Sequence, residues 1–223
     1  MLIDPDKWNQ EHLDCLDESP DFFFLGGSYV SQDLFTEICW ALKAKFDTPI
    51  ILFPADPSHL TEHADAVLML SLVSGRNPEF LIGKHVVAAP YLKRSGLEIL
   101  PTGYLLIDSG QATSASYMSG TMGIPVNKPD IAACTAMAAE MLGLKYIYMD
   151  MGSGSDRTIR TEMISAVRES VNIPIIIGGG VKAPEQLAPL YKAGASTVVV
   201  GNALEDDPTL LSEFIAAKKE MNV

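Results

Sequence analysis

Short apolar runs alternate with longer segments in which apolar residues recur every three or four positions, and this alternation repeats eight times along the chain. The runs predict strands at 1–4, 22–26, 50–53, 67–72, 103–108, 146–150, 174–178 and 197–201. Several, such as Ile50-Ile51-Leu52-Phe53, are continuously apolar, as parallel strands buried on both faces are. Between them, Ser31-Gln32-Asp33 opens a predicted helix to Phe46, with Leu34, Phe35, Ile38, Ala41 and Leu42 on one face. Segments 130–142, 161–171, 184–193 and 209–221 read the same way, and Gly143 and Gly194 are placed as helix stops. Residues 54–65 leave room for only one or two helical turns. Residues 78–95 suit a helix by their apolar positions, but Pro90 would kink it. The expectation is an α/β fold, a (β/α)8 TIM barrel forming one domain over 1–223. The helix after strand 3 would be shortened or replaced by an irregular segment, since barrels typically take about 250 residues.

Composition narrows the function. A formal charge of -12 repels a phosphate backbone, and no stretch interleaves Lys or Arg with aromatics, so no nucleic-acid partner is expected. No apolar run approaches the ~18–20 residues of a membrane span, and no secretory leader pattern opens the chain. A cytoplasmic protein without a transmembrane segment is expected. Cys15, Cys39 and Cys134 are widely spaced with no C-x-x-C, and read as reduced packing residues.

A barrel collects its chemistry at the carboxyl ends of its strands. Gly178-Gly179-Gly180 follows the seventh strand and Gly201-Asn202 the eighth, where backbone N–H groups can close on an anion. A phosphorylated ligand is the reading; tight turns are the alternative. The sixth strand ends Tyr148-Met149-Asp150-Met151-Gly152-Ser153-Gly154-Ser155, with Tyr148 and Asp150 on the same side of the strand. Alone, such a carboxylate is usually an ordinary strand-to-helix turn; beside a phosphate cradle it is a candidate base. Asp4 ends the first strand and Ser28 follows Gly26-Gly27; both are hard oxygen donors suited to a Mg²⁺ that keeps waters and bridges phosphates. Taken alone, Asp4 reads rather as the cap of a helix starting at Pro5. His59 and His63 have the spacing of a metal pair but no third ligand. Asp206-Asp207 reads as a cap of the last helix, and Met137, Met141 and Met163 as helix packing.

Taken together, Leu2-Ile3-Asp4-Pro5-Asp6-Lys7, Gly26-Gly27-Ser28, the stretch from Ser74 to Gly83, Pro101-Thr102-Gly103-Tyr104, Lys128-Pro129-Asp130, Tyr148 to Ser155, the triple glycine and Gly201-Asn202 resemble the geranylgeranylglyceryl phosphate synthase family in order and spacing. The likeness covers nearly the whole chain and is closest to the archaeal and Bacteroidetes-type branch, which is related to bacterial heptaprenylglyceryl phosphate synthase. It implies transfer of a long prenyl group from polyprenyl diphosphate to the 3-hydroxyl of sn-glycerol 1-phosphate. It implies Asp150 and Tyr148 as the catalytic pair. Glycerol 1-phosphate would be bound by Tyr148, Met149, Asp150, Met151, Gly152, Ser153, Gly154, Gly179, Gly180, Gly201 and Asn202. Asp4 and Ser28 would hold Mg²⁺ on the diphosphate. The family usually carries glutamate where this chain has Asp150, and alanine where it has Met151. Phe53, Leu72, Tyr91, Leu92, Tyr104 and Leu106 are candidates for an apolar trough around the prenyl tail, although each fits a core equally well. A homo-oligomer and a transient membrane contact through the lipid product are further expectations. Two other readings stay open: a sugar-phosphate isomerase or aldolase, for which Lys182 is the one lysine near a strand end, and a non-catalytic barrel binding a phosphorylated ligand.

Overall fold

The computed structural model describes residues 1–221. Strands β1 (Leu2–Ile3), β2 (Phe23–Gly26), β3 (Ile50–Phe53), β4 (Ala66–Ser71), β5 (Glu98–Leu106), β6 (Tyr146–Asp150), β7 (Ile175–Gly178) and β8 (Thr197–Val198) lie in one sheet in chain order. Each is parallel to the next. The Leu2 N–H donates to the Val200 carbonyl at 2.8 Å, so the first strand meets the end of the last and the sheet curls into a barrel.

Side-chain alternation along these strands makes two apolar layers. Phe24, Ile51, Phe53, Leu68, Tyr104, Leu106, Tyr148 and Ile176 fill the barrel. Phe23, Leu25, Ile50, Leu52, Leu105, Ile147, Met149 and Ile175 pack with the helices outside. Both faces are dry, which is why the strands read as unbroken apolar runs.

The helices are α1 (Gln10–Asp14), α2 (Phe35–Lys45), α3 (Lys84–Ser95), α4 (Ser114–Ser119), α5 (Pro129–Met141), α6 (Thr161–Ser170), α7 (Leu187–Lys192), α8 (Asn202–Asp206) and α9 (Leu210–Glu220). α2 starts four residues later than the predicted opening at Ser31, because the Asp6 carboxylate takes the N–H groups of Ser31 and Gln32 at 2.9 Å and pins them as a loop. The predicted helix 184–193 divides into a 3-10 turn, Pro184–Gln186, and α7, with Pro189 in the first turn of α7 where its missing N–H is harmless. β5 begins at Glu98, well before the predicted 103. Pro101 is in register with Met69 of β4, and on the other side its carbonyl accepts the Lys145 N–H at 2.8 Å just before β6 begins at Tyr146, so no β6 residue needs the N–H that proline lacks.

As expected, the connection after β3 holds a single 3-10 turn, Pro57–His59, in place of a helix. Pro90 sits inside α3 after a π-type turn over Glu79–Gly83. It costs α3 little, because the residue it would bond, Val86, is exposed and water can serve its carbonyl. The cysteines are reduced, but only Cys39 is a core residue; Cys15 and Cys134 are exposed. Among the described residues, no helix is long and apolar enough to cross a membrane.

Candidate active site

The parallel register sets the β6 end directly beside β5, with Tyr104 opposite Tyr148 and Leu106 opposite Asp150. Both Tyr148 and Asp150 are buried. The Asp150 Oδ1 accepts the Gly152 N–H at 2.8 Å, and Oδ2 accepts the Tyr104 hydroxyl. Each carboxylate oxygen can accept two hydrogen bonds, so one direction on each remains for a ligand hydroxyl. Burial pushes the Asp150 carboxyl above the usual carboxylate range, and the bonds from Tyr104 and Gly152 draw it back. Burial, reinforced by the Asp150 charge, holds the Tyr104 and Tyr148 phenols well above theirs, so both rings carry an intact O–H. Phe53 stacks on Tyr148 and Tyr148 on Tyr104, with centroids 5.1 and 5.5 Å apart.

The glycine loops close round this carboxylate. Gly178 has no room for a side chain because the Tyr148 hydroxyl occupies it. Gly179 and Gly180 have φ of +85° and +73°, and a Cβ at Gly179 would lie 3.0 Å from Asp150 Oδ1. A Cβ at Gly180 would overlap the Arg157 carbonyl. The β6 and β8 loops are tied together: the Asn202 side-chain oxygen accepts the Gly154 N–H at 3.1 Å and the Ser153 hydroxyl at 3.3 Å. The N–H groups of Gly179, Gly180 and Asn202 make no hydrogen bond within the protein among the described residues, which leaves them for an anion. The structure thus brings Tyr148, Asp150, Gly152, Ser153, Gly154, Gly179, Gly180, Gly201 and Asn202 to one mouth. Met149 and Met151 differ: both side chains are buried in the outer core, so only their backbone can meet a ligand there. Lys182 is not a Schiff-base lysine facing the mouth; it is exposed and paired with Asp156 at 2.8 Å.

On the β1 and β2 side, Asp4 does cap the 3-10 turn Pro5–Lys7, its Oδ1 accepting the Asp6 N–H at 3.0 Å. Its Oδ2 faces Gly27, where a Cβ would lie 3.4 Å away. Partial burial, with the nearby Glu205 charge, raises the Asp4 carboxyl, while the Asp6 N–H and Lys7 draw it back. Among the described residues no cluster of three His, Cys, Asp or Glu could hold a metal. Asp4 and Ser28 are both hard oxygen donors, the kind that would suit an ion taking most of its ligands from a diphosphate and water. His59 is buried, stacked on Phe35 at 5.2 Å, and accepts the Ala55 N–H; His63 packs on Trp40.

An apolar trough, open to solvent, runs from Gly27 and Ser28 beside the connection after β3 that lacks a helix. Phe53, Leu72, Leu92, Tyr104 and Leu106 line it as expected; Tyr91 does not, being packed instead against the outer core. Phe80, Lys84, His85 and Ala88 are lining residues that sequence reasoning missed. Lys84 reaches over the Phe80 ring and bonds Asp56 at 3.1 Å. Tyr104 was read only as lining; its bond to Asp150 depends on strand register, which no spacing in one strand encodes.

This arrangement agrees with what the chain is similar to. Residues 1–219 match the model of the PcrB family. A geranylgeranylglyceryl phosphate synthase of Spirosoma linguale is 51% identical, covering 100% of this chain and 91% of that protein. One from Korarchaeum cryptofilum is 36% identical over 99% of this chain and 93% of its own length. The crystal structure of (S)-3-O-geranylgeranylglyceryl phosphate synthase from Thermoplasma acidophilum in complex with sn-glycerol-1-phosphate superposes with a TM-score of 0.89 at 29% identity, covering 98% of this chain and 92% of that one. Matched over residues 1–219 by the family model, the chain belongs to the PcrB family of prenyltransferases, the family of the geranylgeranylglyceryl phosphate synthases.

Proposed function

We propose that this barrel, acting as a single domain in the cytoplasm, transfers a geranylgeranyl group from its diphosphate to the 3-hydroxyl of sn-glycerol 1-phosphate in a Mg²⁺-dependent reaction. One observation carries the reading: the buried Asp150 carboxylate lies between a glycine cradle with free N–H groups and an apolar trough. Phosphate on the cradle would present the glycerol hydroxyl to Asp150, while the trough holds the prenyl tail with its allylic carbon at the mouth. The glycerol oxygen then bonds that carbon, the carbon–oxygen bond to diphosphate breaks, and the hydroxyl proton passes to Asp150. A base raised by burial is better matched to a hydroxyl proton than an exposed aspartate is.

Asp4 and Ser28 would hold the Mg²⁺, whose positive charge neutralises the departing diphosphate. Phe53, Tyr104 and Tyr148 keep water from the carbon under attack. Aspartate in place of the family's glutamate shortens the reach of the base by roughly 1.5 Å. The Tyr104 and Gly152 bonds fix the shorter group in place. The exposed Ile131, Met141 and Leu142 on α5 support assembly with further copies.

The test is incubation of the protein with radiolabelled sn-glycerol 1-phosphate, geranylgeranyl diphosphate and Mg²⁺, counting label that enters organic solvent after phosphatase treatment. The reading expects label that is lost with EDTA or in Asp150→Ala, and little from sn-glycerol 3-phosphate. Equal use of the two glycerol phosphates, or label unaffected by Asp150→Ala, would sink it.

A further inference from the structure

The trough is bounded on one side by α3, and the two faces of that helix have opposite surroundings. His85, Ala88 and Leu92 line the trough. On the outside, Ile82, Val86 and Val87 are 59%, 65% and 70% exposed. Ile82, Val86 and Pro90 are four residues apart and form one stripe. Across the trough α4 presents Met118, itself a lining residue, and Tyr117, 47% and 83% exposed. The trough thus opens to solvent between two apolar banks.

Charge says what covers them. In a chain of formal charge -12, residues 80–97 contain Lys84, Lys93 and Arg94 and no aspartate or glutamate. Lys84 is committed to Asp56 and the Ala55 carbonyl, but Lys93 and Arg94, in the last turn of α3, are exposed. An apolar stripe that ends in free cations is the pattern of a helix lying in a lipid interface.

We propose that the outer face of α3, with Tyr117 and Met118 of α4, docks on an anionic lipid bilayer, so that a prenyl diphosphate passes from the leaflet into the trough without its chain entering water. This deepens the reading of the trough as the prenyl site and rests on it. α3 lies along the surface, with Ile82, Val86 and Val87 below the headgroups and Lys93 and Arg94 among the lipid phosphates.

The test is sedimentation of the full chain, without substrate, with vesicles of phosphatidylcholine alone or mixed with phosphatidylglycerol. Partitioning onto the mixed vesicles is expected, weakened by salt and small on phosphatidylcholine alone. Val86→Asp with Val87→Asp, and Lys93→Glu with Arg94→Glu, should each lower partitioning by about tenfold or more. Both pairs should keep the wild-type melting temperature and turnover of detergent-dispersed geranyl diphosphate, since none of the four residues lines the trough. Absence of wild-type partitioning, or variants that partition like the wild type, would overturn the proposal. So would a change of oligomeric size in the Val86/Val87 variant, which would mean that another copy covers the face. Loss of turnover with every prenyl diphosphate, by contrast, would end the functional reading while vesicle binding still reports on the face.

Discussion

Replacing Tyr104 with phenylalanine removes one oxygen atom and leaves the stacked rings of Phe53, Tyr148 and residue 104 in place, so its effect isolates a single hydrogen bond to Asp150. A hydrogen bond to a charged group is worth about 1.5–3 kcal/mol, and most of that is felt here because the carboxylate is buried. Converted at about 1.4 kcal/mol per tenfold, the ionisation equilibrium of Asp150 moves toward the protonated acid by about tenfold to a hundredfold. The direction is unambiguous: the Tyr104 bond lowers the Asp150 pKa against burial, so losing it raises that pKa further. A base works only when ionised. The acid limb of kcat/KM against pH should therefore move to higher pH by about one to two units, with activity on that limb falling and recovering as alkali is added. The assay is kcat/KM across the pH range beside a thermal melt and the KM for glycerol 1-phosphate, both of which should change little. A uniform fall in kcat with the acid limb unmoved would refute the argument, because Asp150 would then not be the group whose ionisation limits the rate.

Other substitutions probe other parts of the mouth. Asp150→Asn should abolish turnover yet raise the melting temperature at neutral pH. Burial raises the Asp150 pKa, so stability is lost as pH climbs from the unfolded aspartate's value of about 3.9 toward the folded one; the gain should vanish below that window, where the side chain is neutral in both states. Gly180→Ala should lower stability by about 1–3 kcal/mol in urea melts and abolish calorimetric binding of glycerol 1-phosphate, because its +73° backbone and the Arg157 carbonyl leave no space for a methyl. Ala88→Trp fills the trough from α3, and should raise the KM for geranylgeranyl diphosphate far more than that for geranyl diphosphate; equal effects would mean that the tail does not run past α3.

Local pattern carried much of the fold because both faces of the sheet are dry. Ile50–Phe53 and Tyr146–Asp150 are strands over the residues their apolar runs predict. The pattern failed where partners outside the segment decide: Asp6 delays α2, and the late start of β6 at Tyr146 lets β5 run through Pro101 without needing its missing N–H. α4 has no counterpart among the predicted helices: Thr113 and Ser116 form a capping box at its start, but no apolar stripe at helical spacing follows it. In the mouth, glycines and acids at strand ends were readable one strand at a time. What lies between strands was not: the Tyr104–Asp150 bond and the Asn202 link to Gly154 join residues 46 and 48 positions apart.

The barrel closes through its two shortest strands, β1 and β8, each of two residues, with one backbone bond from Leu2 to Val200 across the join. Asp4 and Gly27 stand on one side of that join, Gly201 and Asn202 on the other. A pair of phosphorylated ligands held on both sides would act as a clasp on the weakest seam of the sheet. The Leu2 amide should then exchange with solvent faster than those of β6 in the free protein, and its opening free energy should rise by RT ln(1 + [L]/Kd) when ligand fills the mouth, so that occupancy is legible as protection of a seam the ligand need not touch.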